Sequence, residues 1–135
     1  MKLITYQAKK FSWTPYSKTL PDALEGKPGH AEEAVVVWIH AEAKDEARLS
    51  RVRRHCLKHI KWVANKKSLR NIVLHSFAHL GGENSSEAFA KSLLDQLQQR
   101  LESTGYNVQQ TPFGWFCSWE LNVYGPSMAK IFKEI

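Results

Sequence analysis

The clearest periodicity in the chain is helical. Leu49, Val52, Cys56, Ile60 and Val63 follow one another at steps of three and four, and Leu57 and Ala64 widen the stripe. That spacing predicts an amphipathic helix with Cys56 on its buried side. A second helix carries Phe89, Leu93, Leu97 and Leu101, with Ala90 and Leu94 beside them. Asn84 is its expected N-cap, Glu87 three residues on completes a capping-box pattern, and Gly105 is the expected stop.

Elsewhere the pattern is that of strands. AVVVWIHA (34–41) is a β-branched run that predicts a strand covered on both faces, and NIVLHSF (71–77) a short buried strand running into the loop AHLGGENSS. Residues 2–7 and 11–16 predict a pair of strands, the second ended by Pro15 and the region of Pro21. Breakers Pro21, Gly26, Pro28 and Gly29 make 20–29 a loop. Residues 106–108 and 115–124 add two more strands, and Pro126 starts a final short helix over 126–133. Strands and helices alternate in the middle, while both ends supply strands alone. The fold class is therefore α/β (α+β): a mixed sheet with two long helices packed on one face.

A length of 135 residues, 43% of them apolar, suits one domain with its own core, spanning 1–135. No repeat or linker divides it. The start, MKLITYQAKKF, lacks the apolar stretch of a signal peptide, and the longest apolar run, AVVVWI, is too short for a bilayer. Cys56 and Cys117 make no disulfide framework, so the expected setting is the cytoplasm, away from membranes.

Charge sharpens this picture. Between Lys44 and Lys67 there are nine Lys/Arg against two Asp/Glu, while the remainder holds ten against eleven. One helix thus carries the whole positive excess, with Arg51, Arg54, Lys58 and Lys61 off its apolar stripe. This marks a surface for a polyanion, although a solvated helix face has the same composition.

Three groupings could carry chemistry. In HCLKH, His55 and His59 have the spacing to share a zinc ion, but no third ligand is near in sequence and the flanking cations oppose a metal. In HSFAH, His75 falls in a strand and His79 in the loop after it, where ligands bind in such sheets. Gly81 and Gly82 follow, allowing close approach to the backbone. In TPFGWFCSW, alternation puts Cys117 on one face with Trp115, Trp119, Leu121 and Val123. An apolar setting raises a thiol pKa, so Cys117 reads as a core residue, with a Cys117–His79 nucleophile pair as the alternative.

SFAHL (76–80), a capped helix ending in STGYNV, then TPFGWF and YGPSMAK resemble, in order and spacing, the N-terminal editing domain of archaeal threonyl-tRNA synthetases. The resemblance implies a D-aminoacyl-tRNA deacylase-like fold, a homodimer, and hydrolysis of the ester in mischarged seryl-tRNA(Thr) without a metal or other cofactor. Threonine and serine differ by one methyl, worth about 1–3 kcal/mol, so a second hydrolytic site is needed. By the same resemblance Phe77, Ala78 and His79 form the pocket loop. Pro112, Phe113 and Gly114 form the second motif, followed by the aromatic pair Trp115 and Phe116, which packs the terminal adenosine or closes the pocket. The family's characteristic lysine falls at Cys117 and its glutamate at Lys130. Lys130 is then expected to replace the lost ammonium from the opposite wall, with His79 positioning or activating water.

Three functions follow. The first is a free-standing editing protein that holds the tRNA acceptor end, with Arg51, Arg54, Lys58 and Lys61 on its backbone, and serves a threonyl-tRNA synthetase lacking its own editing domain. The second is a binding module that has lost hydrolysis. The third is a deacylase of another aminoacyl-tRNA.

Overall fold

The computed structural model describes residues 1–135. Its strands are β1 (Lys2–Lys18), β2 (Gly29–His40), β3 (Asn71–Ser76), β4 (Asn107–Gln110), β5 (Trp115–Val123) and β6 (Lys130–Glu134), with helices α1 (Leu49–Asn65) and α2 (Glu87–Glu102). The sheet order is β4-β3-β2-β1-β5, and β6 also pairs with β1. β2, β3 and β4 are mutually parallel, while β1 runs antiparallel to β2, β5 and β6. Parallel neighbours require crossovers, and α1 and α2 supply them on one face. No helix is long and apolar enough to cross a membrane.

Several expectations change. The two N-terminal strands are one strand of 17 residues, bulged against β5 at Ala8/Lys10 and again at Pro15/Ser17. Pro15 is tolerated because the β2 ladder ends at Trp13 and its ring sits at the second bulge. β2 begins at Gly29, where a Cβ would enter the Trp13 ring. The N-cap of α2 is Ser86, whose hydroxyl accepts from the Phe89 amide at 3.2 Å, because Asn84 is engaged by His40 instead. The C-terminal helix is only one turn, Ser127–Ala129, followed by β6. β5 pairs with β1 only from Ala8 onward, which leaves Lys2–Tyr6 as an open edge, and the chain end fills it.

The main core lies between helices and sheet: Leu3, Val35, Val37, Ile39, Ile72 and Leu74 meet Cys56, Ile60, Leu93 and Leu97. Burial pushes the Cys56 thiol up to about 12, as befits a core residue. A smaller cluster on the other face joins Ala8, Phe11, Trp13, Ala34, Val36 and Val73. Trp119 of β5 lies 4.7 Å from Trp38 of β2 and 5.0 Å from His75 of β3, although β1 separates β5 from both in the sheet order. The sheet must therefore curl. Its bulged β1–β5 arm folds over the face that the helices leave bare, as bulges increase bend and twist.

Candidate functional site

The site grows from the C-terminal ends of β2 and β3. Phe77 prolongs β3 by donating its amide to the Ile39 carbonyl at 2.9 Å. The following loop is tied down from below. His40, buried, accepts from the Leu80 amide through Nδ1 at 3.2 Å, so its Nε2–H donates to Asn84 Oδ1 at 2.7 Å. Lys2 Nζ reaches the Gly81 carbonyl at 3.0 Å and Glu42 at 3.2 Å. Glu42 in turn pairs with the buried Met1 α-ammonium at 2.8 Å. Gly82 has φ +88°, and a Cβ there would run into the Glu42 carboxylate.

The second wall is residues 112–117. Gly114 has φ +80°, and its carbonyl accepts from the Thr19 amide at 2.7 Å. Trp115 Nε1 donates to the Leu24 carbonyl at 2.8 Å. The loop after β1 thus fixes the Pro-Phe-Gly turn in place.

Between these walls is a cavity of about 440 Å³. Phe77, Ala78 and His79 line it on one side, and Pro112, Phe113 and Gly114 with Trp115 and Phe116 on the other. Cys117 lines it too, while its other contacts are with the Phe11 cluster. Burial raises the Cys117 thiol, so it is protonated at neutral pH. Phe77 stacks on Trp38 at 5.0 Å, and His79 meets the Phe77 ring edge-on at 5.5 Å. His79 is exposed, at the rim.

One expectation fails geometrically. Lys130 does not line the cavity: its ammonium donates to the Gly125 carbonyl at 3.1 Å, and it pairs opposite Tyr6, whereas Cys117 pairs opposite Pro15. Cys117 and Lys130, paired only by the resemblance, are thus toward different ends of β1. On α1, Arg54, Lys58 and Lys61 border a groove of about 420 Å³ against α2, and Arg53 and Arg100 join them, but Arg51 lies outside it. No carboxylate lines this groove. His55 registers the field: partial desolvation and then Arg54, Arg51, Lys58 and Lys133 hold its pKa below the usual value. The paired histidines of HCLKH diverge, with His55 exposed and His59 Nε2 inside, 3.2 Å from the Thr5 hydroxyl.

Residue-by-residue reading missed His75 and Thr111 as a pair, and His40 altogether. His75 Nδ1 is 2.6 Å from Thr111 Oγ1, both groups are buried, and the imidazole lines the cavity. The alternation of NIVLHSF already opposes His75 to Leu74, but Thr111 is far away in sequence and nothing local announces it.

The Archaea-specific editing domain of threonyl-tRNA synthetase matches residues 1–135 as a family model. Curated relatives include threonine–tRNA ligases of Methanococcoides burtonii, 30% identical over 98% of this chain and 20% of that protein, and of Methanocaldococcus jannaschii, 26% identical over 100% and 22%. The ligase of Thermococcus onnurineus is 30% identical over 85% of this chain and 18% of its own length. The chain spans about a fifth of the length of these relatives. Among solved structures, a c-Myc DNA unwinding element binding protein superposes with a TM-score of 0.66 over 100% of this chain and 99% of its own, at 16% identity, a likeness of fold alone. In class the fold is mixed α/β and D-aminoacyl-tRNA deacylase-like, as the motifs implied. The chain belongs to the archaeal editing-domain family of threonyl-tRNA synthetase.

Proposed function

We propose that this chain hydrolyses the ester of mischarged seryl-tRNA(Thr), releasing serine, and that its 135 residues suffice to do so in trans beside a threonyl-tRNA synthetase. The observation that carries this reading is the cavity itself, bounded on both sides by the two family segments and supplied entirely by one chain. Its volume is in the range of small-molecule sites. The aminoacyl group enters between Phe77–His79 and Pro112–Phe116, and water is excluded by the aromatic walls. The terminal adenosine has exposed Phe116 to stack on.

The basic groove between α1 and α2 takes the tRNA backbone. Replacing Arg54, Lys58, Lys61 and Arg100 together by alanine should weaken tRNA binding at least tenfold at about 0.1 M salt and flatten the dependence of log K on log salt, since each phosphate contact contributes about 0.7–0.9 to that slope. Arg51→Ala, outside the groove, is the comparison. An unchanged slope in the quadruple variant removes the groove from the tRNA surface.

The activity is tested by deacylation of seryl-tRNA(Thr) against threonyl-tRNA(Thr) with the isolated chain. Serine release is expected to be selective. His79→Ala should slow it about tenfold, the loss of one positioning hydrogen bond worth about 1.4 kcal/mol. Lys130→Ala should leave it within about twofold, because Lys130 is outside the cavity. No release above the enzyme-free rate, with tRNA still bound, would establish the second reading, a binding module without catalysis. That reading is favoured by the uncharged thiol of Cys117 where the family has a lysine. The free outer edge of β5 is the surface we assign to a second copy in a homodimer. Two free thiols suit a cytoplasmic setting.

A further inference from the structure

The cavity holds two ionisable side chains that the family motifs do not account for, His75 and Glu87, and of these only His75 is buried. His75 is 5% exposed, sits on β3 two residues before Phe77 opens the pocket loop, and lines the cavity together with Trp119, Phe77 and Cys117. Its Nδ1 is committed to the Thr111 hydroxyl at 2.6 Å. Nε2 is the remaining polar atom of the ring and has no partner among the protein's hydrogen bonds. A wall alone would be served by a phenylalanine. A buried imidazole with one nitrogen bound to a hydroxyl and the other left on the cavity side is held in one orientation, with a ring nitrogen available to a ligand.

The other candidates for proton transfer are weaker on geometry. Cys117 carries a protonated thiol, Lys130 is elsewhere, and His79 and Glu87 are exposed at the rim. We propose that His75 is the general base of the hydrolysis, with Thr111 as the residue that positions it. This rests on the deacylase reading above. In the tautomer this requires, Nδ1–H donates to Thr111 Oγ1 and Nε2 presents its lone pair to a water. As the water oxygen bonds to the ester carbonyl carbon, its proton passes to Nε2. When the tetrahedral intermediate collapses, the bond from that carbon to the ribose oxygen breaks, and the imidazolium returns the proton to the leaving ribose oxygen. The products are free amino acid and the tRNA hydroxyl, and His75 ends as it began.

The groups packed on His75 are apolar or neutral: Trp38 from β2, Phe77 beyond β3, and Trp119 from β5. His79, Cys117 and Glu87 are the titratable groups on the same cavity. Burial alone brings the His75 pKa down, to about 4. The base is thus already free of its proton across the physiological range.

Single-turnover deacylation of seryl-tRNA(Thr) across about pH 5–8 tests this. Wild type should give a flat profile. His75→Phe should lose about 100-fold at pH 7, keep tRNA affinity, and show a residual rate that rises tenfold per pH unit, as hydroxide attack does. Thr111→Val should lose about tenfold, with the His75 ring ¹⁵N shifts moving toward a tautomer mixture, and Thr111→Ser should restore both. If His75→Phe does not fold, His75→Gln, which keeps the size and a hydrogen bond, is read the same way. A folded His75 variant within about threefold of wild type overturns the assignment and leaves the deacylase reading standing. A wild-type chain with no activity overturns both.

Discussion

Phe11→Ala should lower the unfolding free energy by about 3–5 kcal/mol, the range for truncating a buried aromatic. Phe11 is fully buried, opposes Ala31 on β2 and Leu121 on β5, and lies 5.5 Å from the Trp13 ring. It belongs to the smaller of the two apolar clusters, where few neighbours exist to collapse into a void. Its position gives the loss a functional side. Phe11 follows the first bulge of β1, where the arm begins to curl over the sheet and carry Cys117 and Trp119 to the cavity. The variant should therefore lose site integrity before it loses the helix-side core. Urea unfolding followed by far-ultraviolet dichroism and by tryptophan fluorescence separates the two, with the fluorescence transition falling at lower urea. Phe11→Leu should cost under about 1.5 kcal/mol. A loss below about 1 kcal/mol for the alanine variant would mean that the cluster is not what holds the arm.

Acid should destabilise the chain in two steps. Burial holds His75 at about 4 against an ordinary 6.5, so the unfolded chain binds a proton that the folded chain refuses throughout that window. Stability from this source is complete above about pH 6.5 and declines by about 3 kcal/mol as pH falls to about 4. Burial also holds His59 below its ordinary value, adding in the same direction. Glu42 governs the second step. Its burial would raise the carboxyl, but the Met1 ammonium and Lys2 outweigh that and hold it at about 2 against 4.5. Its contribution is present above about pH 4.5 and is lost as pH falls toward 2. Denaturation midpoints at pH 7, 5, 4 and 3 resolve the steps: His75→Phe should flatten the first and Glu42→Gln the second. If the His75 variant kept the full decline between pH 6.5 and 4, the imidazole would not be the group that titrates.

Much of this architecture can be read from local pattern. The stripe Leu49, Val52, Cys56, Ile60 and Val63 fits only a helix with one buried side, and AVVVWI needs apolar cover on both faces, so α1 and the central place of β2 follow from side-chain spacing. Phe77–His79 and Pro112–Phe116 were assigned to a pocket by the family resemblance of their motifs, not by local pattern, and the two segments line one cavity. Where the reading failed, a distant partner decided. Asn84 has the chemistry of an N-cap, but His40 claims its carbonyl and Ser86 caps α2 instead. Residues 126–133 read as a short helix begun by Pro126 until the open edge of β1 is seen, and then edge hydrogen bonds take Lys130–Glu134. Lys130 could be matched to a catalytic place along the sequence and still lie at the other end of β1, because alignment carries order and not position.

By itself, then, the sequence determined the two long helices and the central strands, the side each of these buries, the basic helix and the family to which the motifs belong, since all of these depend on residue type and spacing within a few turns or strands. Only the tertiary structure decided what faces what. The curl of β1 brings Trp119 onto His75, the end of β4 delivers Thr111 to the same imidazole, and Arg100 from α2 completes a groove begun on α1. Each of these juxtapositions joins residues far apart in the chain, and their geometry is set by the packing of the whole core rather than by any one segment's preference.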